Sequence, residues 1–265
     1  MKEFWRRFQE HQLINLGAQC AYFLLLSLFP FLLVVIAFLS YLPFRPSDVF
    51  LLLQNAYVPP GALEVVESQW NVLTADTQPA LLSVGALLTL WTASLALNSI
   101  ISSLNLAYNT TETRPFLKER GIALLLTIAM FFVIIAALVL QVVGVHIRDW
   151  LQLELMLFNM DLVRWSLTSL MLFVVFMLLY WTGPSRTLRF RDVYIGAIAA
   201  TIGWQVASYF FSTFVSRFAD FSATYGTIGA VIALMIWFHL ISLILLIGGE
   251  INAMLKEKNL EKEAV

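Results

Sequence analysis

Two ionisable side chains stand inside apolar sequence near the C-terminus, His239 and Glu250 in IWFHLISLILLIGGEINAMLKEK. An imidazole can exchange a proton near neutral pH. A carboxylate can bind a cation or act as a charged gate. Eleven residues separate the two, about three helical turns, so a helix carries both on nearly one face. The run is long enough to cross a bilayer, where a carboxylate at the centre costs about 2.5–3.5 kcal/mol. Counting about 1.5 Å per residue from Ile228 puts His239 roughly 16 Å along, near mid-membrane. Glu250 then falls at the cytoplasmic boundary, within expected reach of Lys256 or a loop arginine. Each has two readings. His239 is either a neutral imidazole bonded to a polar group of another helix or a protonatable group on a permeation path. Glu250 is either an orienting ion-pair partner or a cation-binding or gating carboxylate, and it is the stronger functional candidate. Gly248 and Gly249 beside it permit close packing or local unwinding, and Asn252 follows.

Weaker polar groups form stripes in other apolar runs. Trp91, Ser94, Asn98, Ser102 and Asn105 point within about 40° of one direction at 100° per residue. Thr201, Gln205, Ser208 and Ser212 form a second stripe. Gly196, Ala200, Gly203 and Ala207 lie opposite it, a small-residue face that lets a neighbouring backbone approach. That face suits internal packing or a homo-oligomer seam equally. Asn15, Gln19 and Tyr22 share a side of the first run with Pro30, which leaves the Leu26 carbonyl without its helical donor and predicts a kink. Such stripes either glue helices together, at about 0.6 kcal/mol per contact, or line a hydrated cavity.

The elements that must position these groups follow from composition. Of 265 residues, 60% are hydrophobic and 12% charged, about half the charged fraction of a soluble domain; mean hydropathy is +0.82. The expected fold is an all-α polytopic membrane protein, one transmembrane domain over 1–265. Its six spans are about 16–42, 79–105, 121–145, 162–182, 193–216 and 227–254. Barrel strands are excluded, being short and alternating where these runs are long and apolar all round. Gly226 and Gly229 fall at the start of the sixth span.

Lys2, Arg6, Arg7, Arg114, Lys118, Arg120, Arg186, Arg189, Arg191, Lys256, Lys258 and Lys262 fall on one side of that arrangement. Only Arg45, Arg148, Arg164 and Arg217 fall on the other. The positive-inside rule makes the first side cytoplasmic, with both termini inside. Segment 43–78, broken at Pro59-Pro60-Gly61, reads as outer amphipathic helices. EFWRRFQEH reads as a cytoplasmic counterpart anchored by Phe4, Trp5 and Phe8, and 255–265 as a charged cytoplasmic tail.

Several chemistries are set aside. Cys20 is the single cysteine, which removes intrachain disulfides and cysteine-based zinc sites. His11 and His146 fall on opposite membrane sides, so neither joins His239 in a tri-histidine centre, and no metal or other cofactor is expected. No phosphate-cradling glycine loop or nucleophile elbow is present. A net charge of −1 gives no nucleic-acid surface.

AYFLLLSLFPFLLVVIAF, WTASLALNSIISSLNLAYN, LYWTGPSRTLRFRDVYIGAIAATIGW and YGTIGAVIALMIWFHLISLILLIGGEINA together resemble the YihY/BrkB family of bacterial inner-membrane proteins, historically mislabelled ribonuclease BN. The resemblance covers nearly the whole chain and implies six transmembrane helices in the plasma membrane. Its motifs fall on Tyr22, Ser27, Pro30, Asn98, Asn105, Tyr108, Pro184, Tyr225, Gly226, Gly229, Glu250 and Asn252. Where His239 stands the family commonly has an aromatic such as tyrosine, which moves weight to Glu250. The ribonuclease label fits poorly, because a ribonuclease needs clustered acid, base or metal groups on a solvated basic surface, and topology already accounts for each basic triplet here.

The expected function is therefore transport or export of an unidentified lipid-like amphiphile or ion. A polar cavity between spans one, two, five and six would carry it. The alternative is a non-enzymatic membrane scaffold or envelope-integrity protein.

Overall fold

The computed structural model describes residues 2–40, 79–151, 160–217 and 219–263. The expected outer helices of 43–78 lie outside them. Among the described residues there are seven α-helices and no strand: α1 (Lys2–Glu10), α2 (Leu13–Ser40), α3 (Pro79–Ala107), α4 (Phe116–Leu151), α5 (Met160–Thr182), α6 (Phe190–Arg217) and α7 (Ala219–Glu263). Four contain stretches long and apolar enough to cross a membrane: Leu90–Ala107, Trp165–Thr182, Phe190–Phe211 and Val231–Leu260. In α2 the corresponding apolar stretch is shorter, Leu13–Leu28.

Local chemistry sets the helix boundaries. Gln12, at φ 50°, makes the left-handed step between α1 and α2. Asn109, at φ 52°, closes α3, with Thr110 N–H donating to the Asn105 carbonyl at 2.9 Å and Asn109 N–H to Leu106 at 3.0 Å. That pattern is a Schellman cap, and asparagine tolerates its left-handed residue better than most side chains. Asp192 accepts from the Arg189 N–H at 2.9 Å, satisfying a free donor at the start of α6. Pro30 lies inside α2, which continues as one helix to Ser40.

Consecutive long helices pack on one another from α2 through α7, and α7 returns to α2, closing a ring. α3 also meets α7, and α1 packs on α7. The buried core lies toward the end bearing the basic loops: Leu97–Tyr108 of α3 and the turn after it, Val175–Tyr180, Val193–Ala200 and Ile241–Ala253 contribute most of it. Large apolar side chains such as Leu87, Leu125, Phe132, Leu170, Ile202 and Phe210 point outward, as helices solvated by lipid require.

α5 is the fourth apolar segment and lies outside the four expected to wall the cavity, yet its last turns enter this core. Phe176, Leu179 and Tyr180 are buried, and the Tyr180 hydroxyl donates to the Leu245 carbonyl at 2.7 Å. The absence of strongly polar residues from mid-span hid this, because tyrosine brings its donor on an apolar ring. The α6–α7 contact is as close as backbones allow. A Cβ at Gly196 would overlap the Gly248 carbonyl, and one at Gly203 would lie 2.9 Å from Cγ2 of Ile244. The small-residue face of α6 thus packs within the chain. Gly248 meets Tyr180 and Gly196, and Gly249 meets Leu104. α7 runs unbroken past both glycines to Glu263, so they serve packing rather than unwinding. Gly226 and Gly229 fall in its first turns.

Candidate functional site

The polar groups concentrate where α1, α3, α5, α6 and α7 converge. Glu250 is 1% exposed. Its carboxylate is met by the His11 imidazole through Nδ1 and by the Arg7 guanidinium at 3.6 Å. Arg7 is itself buried, donating to the Ala107 carbonyl at the end of α3 at 3.1 Å and pairing with Glu257. Asn109 also reaches Glu257, at 3.4 Å. The expected partners of Glu250 are therefore corrected. They come from the N-terminal helix and the residue after it, while Lys256 pairs with Asp192 at 2.6 Å. Arg7 and His11 are four residues apart and so share one helical face. That spacing was the available signal in the sequence. Trp5 is 58% exposed and stacks on Phe8, which packs against the core.

A second junction centres on Asn105, which is buried. Its Nδ2 donates to Glu112 at 2.8 Å, and its Oδ1 accepts from the Ser185 N–H at 2.7 Å. Arg114 grips Glu112 in a two-pronged pair, at 2.7 Å through Nε and 2.8 Å through Nη2. It also donates to the carbonyls of Thr182 at 3.1 Å and Gly183 at 2.5 Å. Hydrogen bonding from Arg114 first, then from Ser185 and Asn105, outweighs burial and holds the Glu112 carboxyl well below its ordinary value. Asn252, also fully buried, bridges α6 and α7: Oδ1 accepts from Gly196 N–H at 2.6 Å and Nδ2 donates to the Val193 carbonyl at 3.0 Å.

The remaining candidates divide. Ser94 is buried but donates to the Trp91 carbonyl of its own helix at 2.7 Å. Asn98 is half-buried, with its Oδ1 enclosed and unpartnered. His239 is half-buried, and a Cβ at Gly17 of α2 would lie 3.4 Å from its ring. Ser208 is half-buried, and Ser102 is exposed. Gln205 donates to Ser169 on α5 at 2.7 Å, so the α6 stripe turns toward α5. The opposite face of α6 is already committed to α7 through Gly196 and Gly203. Gln19 is exposed, as are Asn15 and Tyr22. α2 instead turns Leu13, Gly17, Cys20 and Ala21 inward, since small side chains let α3 and α7 close on it.

Within α3, the turn after it and α7, four enclosed polar groups have no hydrogen-bond partner: Asn98 Oδ1, the Tyr108 hydroxyl, Ser242 Oγ and Glu250 Oε2, the last of which faces the Arg7 guanidinium at 3.6 Å. Leu104 lies against Gly249, and Asn109 reaches Glu257, so the two helices run parallel. Stepping back six residues from Leu104 and seven from Gly249 sets Asn98 and Ser242 at nearly one depth. Among the described residues no group of three or more His, Cys, Asp and Glu side chains could hold a metal ion.

No solved structure matches the chain. The ribonuclease-like protein YfkH of Bacillus subtilis is 42% identical over 269 residues, covering 99% of this chain and 98% of that protein. A UPF0761 membrane protein of Aeromonas salmonicida is 27% identical over 96% of this chain and 87% of its own length. Another, from Tolumonas auensis, is 27% identical over 98% and 86%. Two labels thus attach to similar proteins, ribonuclease-like and membrane protein, and the apolar helices agree with the second. The family model described as Virulence factor BrkB matches residues 4–264, and the chain belongs to that family of membrane proteins.

Proposed function

We propose that this protein is a transporter or exporter of the bacterial plasma membrane, with six spans, both termini cytoplasmic and no enzymatic activity. The substrate path runs between α2, α3 and α7, with α6 as the wall that fixes α7. The observation that carries this reading is the pair of enclosed, unpartnered polar atoms at nearly one depth, Asn98 Oδ1 on α3 and Ser242 Oγ on α7. A buried polar group without a partner costs about 1–3 kcal/mol, and water or a passing polar group between the helices would remove that cost. Apolar walls with a thin polar stripe suit a lipid-like amphiphile as well as an ion. Glu250, closed off by Arg7 and His11, forms the cytoplasmic gate.

Cysteine placed at Asn98 or Ser242 should react with a water-soluble maleimide added to intact membranes. A cysteine at the outward-facing Leu125 should not, because thiolate forms only where water reaches. The second reading is a membrane scaffold or envelope-integrity protein, favoured by the dense pairing at Arg7, Glu112 and Asn252. Labelling at 98 and 242 no faster than at 125 would leave that reading standing and end the transport one.

A further inference from the structure

Beside the α6–α7 junction, and separate from the Glu250 cluster, a pocket of roughly 660 Å³ opens at the basic end of the bundle. Thr187, Arg189, Arg191, Asp192, Lys256 and Asn259 supply its polar wall. Three cations face one anion there. Asp192 is already committed, accepting from the Arg189 N–H at 2.9 Å and pairing with Lys256 at 2.6 Å. Among the described residues Arg189 and Arg191 have no salt-bridge partner, and both are exposed. The lining therefore carries a formal excess of two positive charges. Forked guanidinium donors, a hydroxyl and an amide suit a phosphate's oxygens. The pocket also adjoins the start of the 28-residue α6, whose positive dipole end adds attraction for an anion.

The depth of the pocket follows from its neighbours. Trp181 stacks on Phe190 at 4.3 Å between ring centroids and donates through its indole N–H to the Leu188 carbonyl at 2.9 Å. Both rings are partly exposed, at 37% and 49%. Tryptophan is enriched at headgroup depth, where its amphipathic ring meets both lipid and water. Immediately beyond it α7 carries Lys256, while Leu260 lends an apolar flank.

We propose that this pocket binds a phosphate monoester or diester, presented by an anionic lipid headgroup or by a free phosphate. Arg189 and Arg191 hold the phosphate. Thr187 and Asn259 bond its remaining oxygens, and the Asp192–Lys256 pair fixes the wall. The site is independent of the transport path, since α3 contributes nothing to its lining.

The test uses the full chain in a neutral detergent, titrated calorimetrically with three probes: short-chain phosphatidic acid below its micelle concentration, short-chain phosphatidylcholine, and inorganic phosphate. The variant is Arg189→Gln with Arg191→Gln, both on exposed side chains and outside the α6–α7 pairing. The control, Lys2→Gln with Arg6→Gln, removes the same charge from exposed positions of α1. Phosphatidic acid should bind the native chain, and the arginine variant should bind it about thirtyfold more weakly, with the control within twofold of native. Inorganic phosphate binding with the same dependence identifies a free phosphate as the source, whereas binding confined to phosphatidic acid identifies the lipid. Equal loss in variant and control, equal binding of phosphatidylcholine, or no binding of either phosphate probe overturns the proposal.

Discussion

Glu250 shows how much one carboxylate can depend on partners distant in sequence. Arg7 lies 243 positions away and His11 239. Removing one member of a buried ion pair costs about 3 kcal/mol or more, because the survivor stays buried and uncompensated. Arg7→Gln should therefore lower the unfolding midpoint in detergent markedly. Arg7→Gln combined with Glu250→Gln should lose less than the sum of the single variants, as coupled neighbours do. Strict additivity would show that the two do not interact. Glu112 makes a pH-dependent contribution of definite sign. Its Arg114 hydrogen bonds depress the folded-state value below the ordinary 4.5, so the unfolded chain takes up the proton first. The stabilisation is complete above about pH 4.5 and is lost as pH falls from there toward the folded value. In denaturation series between about pH 6 and 3, the gap between native protein and Glu112→Gln should narrow as pH drops. A constant gap would refute the assignment. Composition and position made Glu250 conspicuous in the sequence. Its partners were not, because a short amphipathic segment does not reveal which of its faces will be covered.

At the scale of elements, α7 organises the bundle by having no side chains where others must come close. Gly248 accommodates Tyr180 and the Gly196 carbonyl, the latter 2.8 Å from where a Cβ would stand, and Gly249 accommodates Leu104. Gly196→Ala should be costly, since its methyl would meet backbone and the Asn252 amide, neither able to move without breaking the Gly196–Asn252 bond. Overpacking of this kind costs about 1–3 kcal/mol, read as a lower unfolding midpoint. Gly121, with open space around its Cβ position, should accept alanine with no loss. Long apolar segments were legible because lipid demands long uninterrupted helices; the described part of each lies in one helix, and four of those helices hold stretches long and apolar enough to cross a membrane. The small-residue face of α6 was legible too, but not its partner. The facing of the polar stripes was legible only in part. Ser94, Asn98 and Asn105 turn inward or half inward, whereas Gln19 and Ser102 are exposed and Gln205 turns to α5. A stripe defines an angle on one helix, and neighbours with glycine and alanine faces decide which side is covered.

For the whole molecule, the buried polar junctions and the basic loops occupy one end, and that asymmetry has a physical origin. Arginine and lysine stay on the cytoplasmic side during insertion, and the carboxylates that pair with them gain most where desolvation is partial. Arg7, Arg114 and Lys256 each meet an acidic partner at that end, so the charges that would orient the chain in the proposed topology also fasten its helices. The proposed six-span topology makes a direct prediction. Cys20 is fully buried, so the native protein should give little background with a membrane-impermeant thiol reagent. Single cysteines at Lys118, Arg186 and Lys258 should label only after permeabilisation, while one at Gly61 should label in intact cells. Lys118 and Lys258 are exposed and lie outside the buried pairs, so their replacement should leave the fold in place. Labelling of position 186 from outside would invert the α5–α6 connection and put the phosphate pocket on the wrong face. Because each basic loop is tested separately, a misplaced span would show as the first position along the chain at which labelling departs from this pattern.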